Sequence, residues 1–183
     1  KEFSDFKKDK KLFQIYNDID FPMLDILSSM EKDGISVSLP KMKKLSKQLS
    51  KELESLSNKC FKITNQEFNL NSPKQLSEIF YNEMNFPVLK KTPKGAPSTD
   101  ASVLEELSKE HDLPKYILKY RELEKIRSTY VDGLIPEVTK HNKIHTHFNL
   151  FGTATGRLSS EKPNLQNIPN LSLIHISEPT RPC

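Results

Sequence analysis

The sequence predicts a mainly α-helical fold that ends in a short antiparallel β segment. Three observations carry this expectation. Apolar residues recur at three- and four-residue intervals along two long stretches, Met42 to Cys60 and Tyr116 to Leu134, which is the spacing of one helix face. Alternation of β-forming residues is confined to Lys143–Leu150. Proline and glycine gather between these regions, above all from Phe86 to Thr99.

Taken in order, Phe21, Met23, Leu24, Ile26, Leu27 and Met30 mark a short helix that stops near Gly34, a residue suited to a C-terminal cap. Ser38 can cap the first long helix, whose seam runs Met42, Leu45, Leu49, Leu53, Leu56, Cys60. Its other faces carry Lys41, Lys43, Lys44, Lys47, Lys51, Glu52 and Glu54, the pattern of a solvated exterior. Ser72 is a good N-cap and Pro73 fits the first helical position, while Gln75 can close a capping box and turn Leu76, Ile79 and Phe80 inward. Phe86–Thr99 reads as an irregular basic loop, with Lys90, Lys91 and Lys94 and no acid. Ser98 or Thr99, with Asp100 in the first turn, starts a helix through Val103, Leu104 and Leu107. The second long helix is expected from Lys115 to about Ile135, with Tyr116, Tyr120, Leu123, Ile126, Tyr130 and Leu134 inward and Arg121, Lys125 and Ser128 aligned on another face. The β segment follows, and Gly152–Gly156 reads as a turn and bulge.

Composition removes several function classes. There are 28 basic and 24 acidic residues, a net charge of +4 that permits a polyanionic partner without demanding one. No apolar run approaches a membrane span, and Lys1–Asp5 lacks the layout of a secretion or transit signal, so a cytoplasmic address is the expectation. The two cysteines, Cys60 and Cys183, stand in no redox or zinc spacing. Neither a Walker-type loop nor a G-x-G-x-x-G is present, which argues against a nucleotide-cradling domain. His141, His145 and His147 could share a strand face, but no carboxylate or thiol accompanies them at a ligand spacing, so no metal site is assigned.

Two polar regions have chemistry to offer. The loop at Lys90–Thr99 combines three ammonium groups, the Ser98 and Thr99 hydroxyls and backbone N–H groups left over by an irregular path, which suits phosphate binding. Taken alone, such a loop reads first as solvated surface. Arg121, Lys125 and Ser128 could track a phosphate strand, although Glu122 and Glu124 interleave with them as in an ordinary salt-bridged helix. The densest polar stretch, Thr153 to Pro169, holds Arg157, Asn164, Gln166 and Asn167. Every base pair presents purine N3 or pyrimidine O2 in the minor groove, so arginine and amide donors can test pairing there without reading sequence.

That stretch does not stand alone. T-A-T-G-R-L-S-S followed by P-N-L-Q-N-I-P resembles the motif that opens the palm of family A DNA polymerases, the bacterial DNA polymerase I type. Phe68–Leu76, Lys90–Thr99, Tyr120-Arg121 and Ser128–Asp132 resemble the thumb of that family, in the same order. The resemblance implies long antiparallel thumb helices followed by the first palm strands. Residues 1–20 would end an exonuclease-like domain and its linker, 21–135 the thumb and its base, and 136–170 the start of the palm. It also implies that Asn69 and Ser72 lie near template phosphate, that Lys90, Lys91, Thr92, Lys94, Ser98 and Thr99 form the thumb tip, and that Arg121, Lys125, Ser128 and Thr129 line the duplex. Arg157 would bond the minor-groove edge of the primer-terminal pair, with Asn164 and Gln166 monitoring the template side.

The implied partner is double-stranded primer-template DNA, bound by a monomer. Deoxynucleotides and magnesium belong to the parent polymerase of replication and repair, whose metal-holding aspartates follow the palm motif, so the chain itself is expected to bind without polymerising. Leu171–Cys183 looks like the in-frame translation of a sequencing-library adapter and is set aside as non-native. Without more of the palm, Ile144–Pro169 would lack sheet partners. The competing reading is a non-enzymatic helical nucleic-acid-binding or scaffold module.

Overall fold

The computed structural model describes residues 9–168. They divide into two compact units, 9–39 with 134–168, and Pro40–Gly133.

In the first unit, Asp9 caps helix α1 (Lys10–Ile15) by accepting from the Lys11 and Leu12 N–H groups at 3.1 and 3.2 Å. A wider π-helical turn, Tyr16–Asp20, leads without a break into α2 (Phe21–Asp33). Helical backbone therefore begins at Lys10, not at Phe21. Pro22 supplies the reason for the wide turn: it has no N–H to give and its ring crowds the carbonyl four residues back, so Phe21 N–H bonds Tyr16 O instead. Gly34 ends α2 at φ +63°, and its N–H bonds Met30 O at 2.9 Å.

Strand β1 (Ile35–Ser36) pairs antiparallel with β2 (Lys143–Ile144), and β3 (His147–Asn149) with β4 (Ser159–Glu161), in the register Ile35↔Ile144 and Phe148↔Ser160. The expectation that Ile144–Pro169 lacks sheet partners is thus corrected, since both partners lie within the chain. The alternating run is also two strands rather than one. It breaks at His145-Thr146, where the backbone passes from pairing with β1 to pairing with β4 and both side chains bond other segments. His145 Nδ1 lies 2.7 Å from Glu31 O, and the buried Thr146 hydroxyl lies 2.6 Å from Pro163 O. Glu31 also accepts the Phe148 N–H at 2.6 Å, and Lys143 Nζ donates to Asp33 O at 2.6 Å.

The second unit takes in helix α3 (Leu39–Thr64) from Pro40 on, α4 (Pro73–Ser77), α5 (Ala101–Leu107) and α6 (Asp112–Lys125). Wider π-helical turns continue α4 over Glu78–Glu83 and α6 over Ile126–Asp132. Leu49, Leu53, Leu56 and Cys60 of the predicted α3 seam are buried. Arg127 of the α6 extension bonds Ser50, and Lys59 lies over the Tyr116 ring, so α3 and α6 run antiparallel as expected. The core cluster joins Cys60, Leu70, Leu76, Phe80, Leu104 and Ile117, with the Phe86 ring against Phe80 at 5.1 Å and stacked on His111 at 4.2 Å.

Three local expectations change. Asp100 is itself the cap of α5, accepting from Val103 N–H at 3.1 Å, rather than a first-turn residue. Helix α6 starts at Asp112 because Pro114 falls in the first turn, where no N–H is required. The inward face of α6 is Leu113, Ile117, Leu123, Ile126 and Val131, while Tyr116, Tyr120 and Tyr130 sit half-buried at its border. From Ile126 onward the wide turn shifts the helical phase that the spacing assumed, which brings Val131 rather than Tyr130 inward.

Candidate nucleic-acid interface

The Lys90–Thr99 loop is a small hairpin, not an irregular path. Lys91 bridges Pro97 antiparallel, Thr92 N–H bonds Ala96 O at 2.7 Å, Gly95 N–H bonds Thr92 O at 2.8 Å, and Ser98 N–H bonds Lys90 O at 2.9 Å. Those three backbone donors, expected to be left over, are satisfied inside the hairpin. Gly95 takes φ +84° at a tip with no atom near the place a Cβ would occupy. The three lysines are not equivalent. Lys90 pairs with Asp100 at 2.6 Å, whereas Lys91 and Lys94 are exposed and have no ion-pair partner among the described residues.

Ser98 and Thr99 are buried at the hairpin base. Ser98 Oγ accepts from Asp100 N–H at 3.3 Å, Ser98 O accepts from the Tyr81 hydroxyl at 2.5 Å, and Thr99 O accepts from Arg121 Nη1 at 2.9 Å. The Lys90 ammonium, then the Ser102 hydroxyl and the Val103 N–H, hold the Asp100 carboxyl far below the usual carboxylate range. Burial, and secondarily the Asp100 charge, push the Tyr81 phenol up.

Asn69 and Ser72 form a turn beside α4. Asn69 Oδ1 accepts from Asn71 N–H at 2.9 Å, Ser72 N–H bonds Asn69 O at 2.9 Å, and Ser72 Oγ accepts from Gln75 N–H at 3.4 Å. Gln75 does not close the expected capping box: the Ser72 N–H is already spent on Asn69 O, and Gln75 Oε1 takes the Asn69 N–H at 2.8 Å instead. With these acceptors occupied, the Ser72 hydroxyl proton and the exposed Asn69 amide protons are what remain to offer, and donors suit an anion.

On α6 and its extension, Lys125, Ser128 and Thr129 are exposed, and Ser128 Oγ donates to Glu124 O at 2.7 Å. Arg121 differs from them. It is half-buried, its Nε donates to Leu70 O at 3.2 Å and its Nη1 to Thr99 O, and burial pulls its pKa down. Sequence reasoning passed over Arg127, which bonds Ser50 Oγ and pairs with Glu124 at 3.1 Å, and Tyr81. Spacing along one helix contains no signal for such ties to distant segments.

In the first unit, the exposed Arg157 side chain makes no hydrogen bond or ion pair among the described residues, while its carbonyl accepts from Thr153 Oγ1 at 2.7 Å. Asn164 and Gln166 lie on a turn built around buried Ser160, whose Oγ accepts from Leu165 and Gln166 N–H groups at 3.0 and 3.3 Å. Asn164 Oδ1 also accepts from Gln166 N–H at 3.1 Å. Asn164 therefore keeps its amide donors, and Gln166 its whole side chain, for an outside partner.

Among the described residues no three carboxylate, imidazole or thiol groups converge to hold a metal ion. No seat for the magnesium implied by the resemblance is formed among them. No helix of the described residues is long and apolar enough to cross a membrane.

The chain is similar to known proteins over most of its length. The chain is 43% identical to DNA polymerase I of Bacillus subtilis (strain 168) over 158 residues, 85% of this chain and 18% of that protein. It is 42% identical to the thermostable DNA polymerase I of Thermus caldophilus, over 88% of this chain and 20% of that one. The chain thus spans about a fifth of the length of the curated relatives it matches. The POL domain of Pol1 from M. smegmatis, solved in complex with DNA primer-template and dNTP, superposes with a TM-score of 0.81 at 33% identity, covering 91% of this chain and 29% of that one. The match to the family model runs over residues 39–181, past Pro169 into the segment that sequence reading set aside and that lies outside the described residues. By that match, the chain belongs to DNA polymerase family A.

Proposed function

We propose that this chain is the duplex-holding part of a DNA-directed DNA polymerase of the DNA polymerase I type, gripping primer-template DNA while the parent enzyme extends the primer. The observation that carries the reading is the hairpin tip. Lys91 and Lys94 stand exposed and uncompensated on a loop whose backbone is internally bonded, so their charge is presented to solvent on a formed support. Residues 21–135 act as the thumb and its base and 136–170 as the start of the palm, with 1–20 the end of an exonuclease-like domain and its linker and 171–183 an adapter-derived addition to the sequence.

Around the tip, Lys90, Thr92, Ser98 and Thr99 build the hairpin, and Asn69 and Ser72 offer donors to template phosphate. Lys125, Ser128 and Thr129 line the duplex. Phosphate contacts of this kind attract any sequence equally, as a copying enzyme needs. Arg157, Asn164 and Gln166 add minor-groove donors that report pairing geometry. The parent works as a monomer in the cytoplasm, in replication and repair, and draws on deoxynucleotides and magnesium for phosphoryl transfer.

The test is the salt dependence of binding to a primer-template duplex. A double Lys91→Ala/Lys94→Ala chain is expected to bind more weakly and to lower the slope of log affinity against log salt by about 0.9 per lost phosphate contact. A helical scaffold module would show neither effect.

A further inference from the structure

We infer that Arg121 is a positioning residue that ties the Asn69–Ser72 turn and the Lys90–Thr99 hairpin to α6, rather than a phosphate contact. The inference rests on the duplex-binding reading of those two segments. A guanidinium is a rigid planar fork, and here two of its arms are already engaged. Nε donates to Leu70 O at 3.2 Å and Nη1 to Thr99 O at 2.9 Å. Nη2 is shielded from solvent and has no hydrogen-bond partner among the described residues, so a phosphate could reach it only by displacing protein. Lys125, one turn along the same face, is exposed and shows by contrast what a solvent-facing cation on this helix looks like.

The two accepting carbonyls lie inside the segments that carry the proposed DNA contacts. Leu70 sits between Asn69 and Ser72, and Thr99 closes the hairpin bearing Lys91 and Lys94. Neighbouring bonds reinforce the join, because Tyr81 holds Ser98 O at 2.5 Å and Lys90 holds Asp100 at 2.6 Å. One cation therefore sets where two groups of donors stand relative to each other. Lysine cannot replace it: a single ammonium has no fork with which to span both carbonyls.

Two measurements on the full chain, for Arg121→Lys, Arg121→Ala and the Lys91/Lys94 double variant, test this. Amide hydrogen exchange is read without DNA, and duplex affinity is read across a salt series. Both Arg121 variants are expected to exchange about tenfold faster at Ser72 and Ser98 N–H, with Leu104 and Ile117 unchanged. Both should bind duplex about tenfold more weakly with the salt slope retained. If Arg121→Lys keeps wild-type affinity while Arg121→Ala loses it together with about 0.9 of slope, Arg121 is a direct phosphate contact and the inference is overturned. Unchanged exchange at Ser72 and Ser98 overturns it too. Should Arg121→Ala fail to fold, Arg121→Lys, which retains the charge, decides alone. A wild-type chain that ignores duplex, or a lysine double variant that binds like wild type, instead overturns the duplex reading, and the exchange arm still judges the tie.

Discussion

At Gly34 a single hydrogen atom in place of a side chain lets α2 end where β2 passes. A Cβ built there would lie 2.8 Å from the His145 ring and 2.9 Å from Ile144 O, and the backbone, at φ +63° and ψ 178°, is in a region that only glycine occupies without strain. Gly34→Ala is expected to lower stability by about 1–3 kcal/mol, read as a fall in the urea midpoint. An unchanged midpoint would mean that the chain around Gly34 adjusts freely. Cys60 tests burial differently. It is fully covered in the core, and desolvation pushes its thiol up to about 11. At pH 8 the reactive thiolate is then about one part in a thousand, so a thiol reagent should modify Cys60 only in denaturant. Rapid labelling of Cys60 itself in the native chain, mapped apart from Cys183, would contradict the packing at that position. The position of Gly34 after an apolar run was legible as a helix stop, but the approach of His145 was not, since more than a hundred residues separate the two.

Among the elements, α5 depends most visibly on one charged group. Asp100 caps it through Val103 N–H, bonds Ser102 Oγ and pairs with Lys90 of the hairpin, so helix start and hairpin base share one carboxylate. Its pKa is lowered in the fold. The stability it contributes is therefore complete above its unfolded value of about 3.9 and is lost as pH falls from there through the lowered folded value. Val103 N–H should lose exchange protection with acid over that window in wild type, whereas Asp100→Asn should show reduced protection that no longer changes there. A midpoint unchanged by the substitution would place the acid sensitivity elsewhere.

This element also marks how far residue types and spacing reach. Ser72-Pro73 as a helix start and the seam of α3 depend on local chemistry and are readable from order alone. Whether Gln75 returns to Ser72 or goes to Asn69, and whether Lys90 is free or spent on Asp100, depends on how a loop folds back. The alignment of Arg121 with Lys125 and Ser128 suggested one phosphate-tracking face. Helical phase alone has no knowledge of the Leu70 and Thr99 carbonyls that occupy Arg121.

Over the whole molecule, apolar residues are distributed unevenly between the two units. The second holds the core cluster, with Leu76, Phe80, Leu104 and Ile117 all at 0% exposure. In the first, the buried hydrophobic residues are Leu27, Leu134 and Ile144 among those described, while Leu12, Ile15, Ile19, Phe21, Leu24, Ile26, Met30, Ile35 and Phe151 are exposed. Its strands pair only two by two, an arrangement that is marginal in water without a hydrophobic face to cover it. Local opening costs least where buried apolar contact is sparse, so the two units should open unequally. Native-state hydrogen exchange is expected to find the β3–β4 ladder amides exchanging at least roughly a hundredfold faster than those of Leu104 and Ile117, with rates that follow low denaturant only in the second unit. Asn164 and Gln166 would then be held by turn bonds to Ser160, and Arg157 by the Thr153 bond to its carbonyl, more than by a core, and duplex DNA should slow exchange in this motif. Equal protection of ladder and core amides in the DNA-free chain would overturn this, because it would require the sparsely packed unit to open only with the whole molecule.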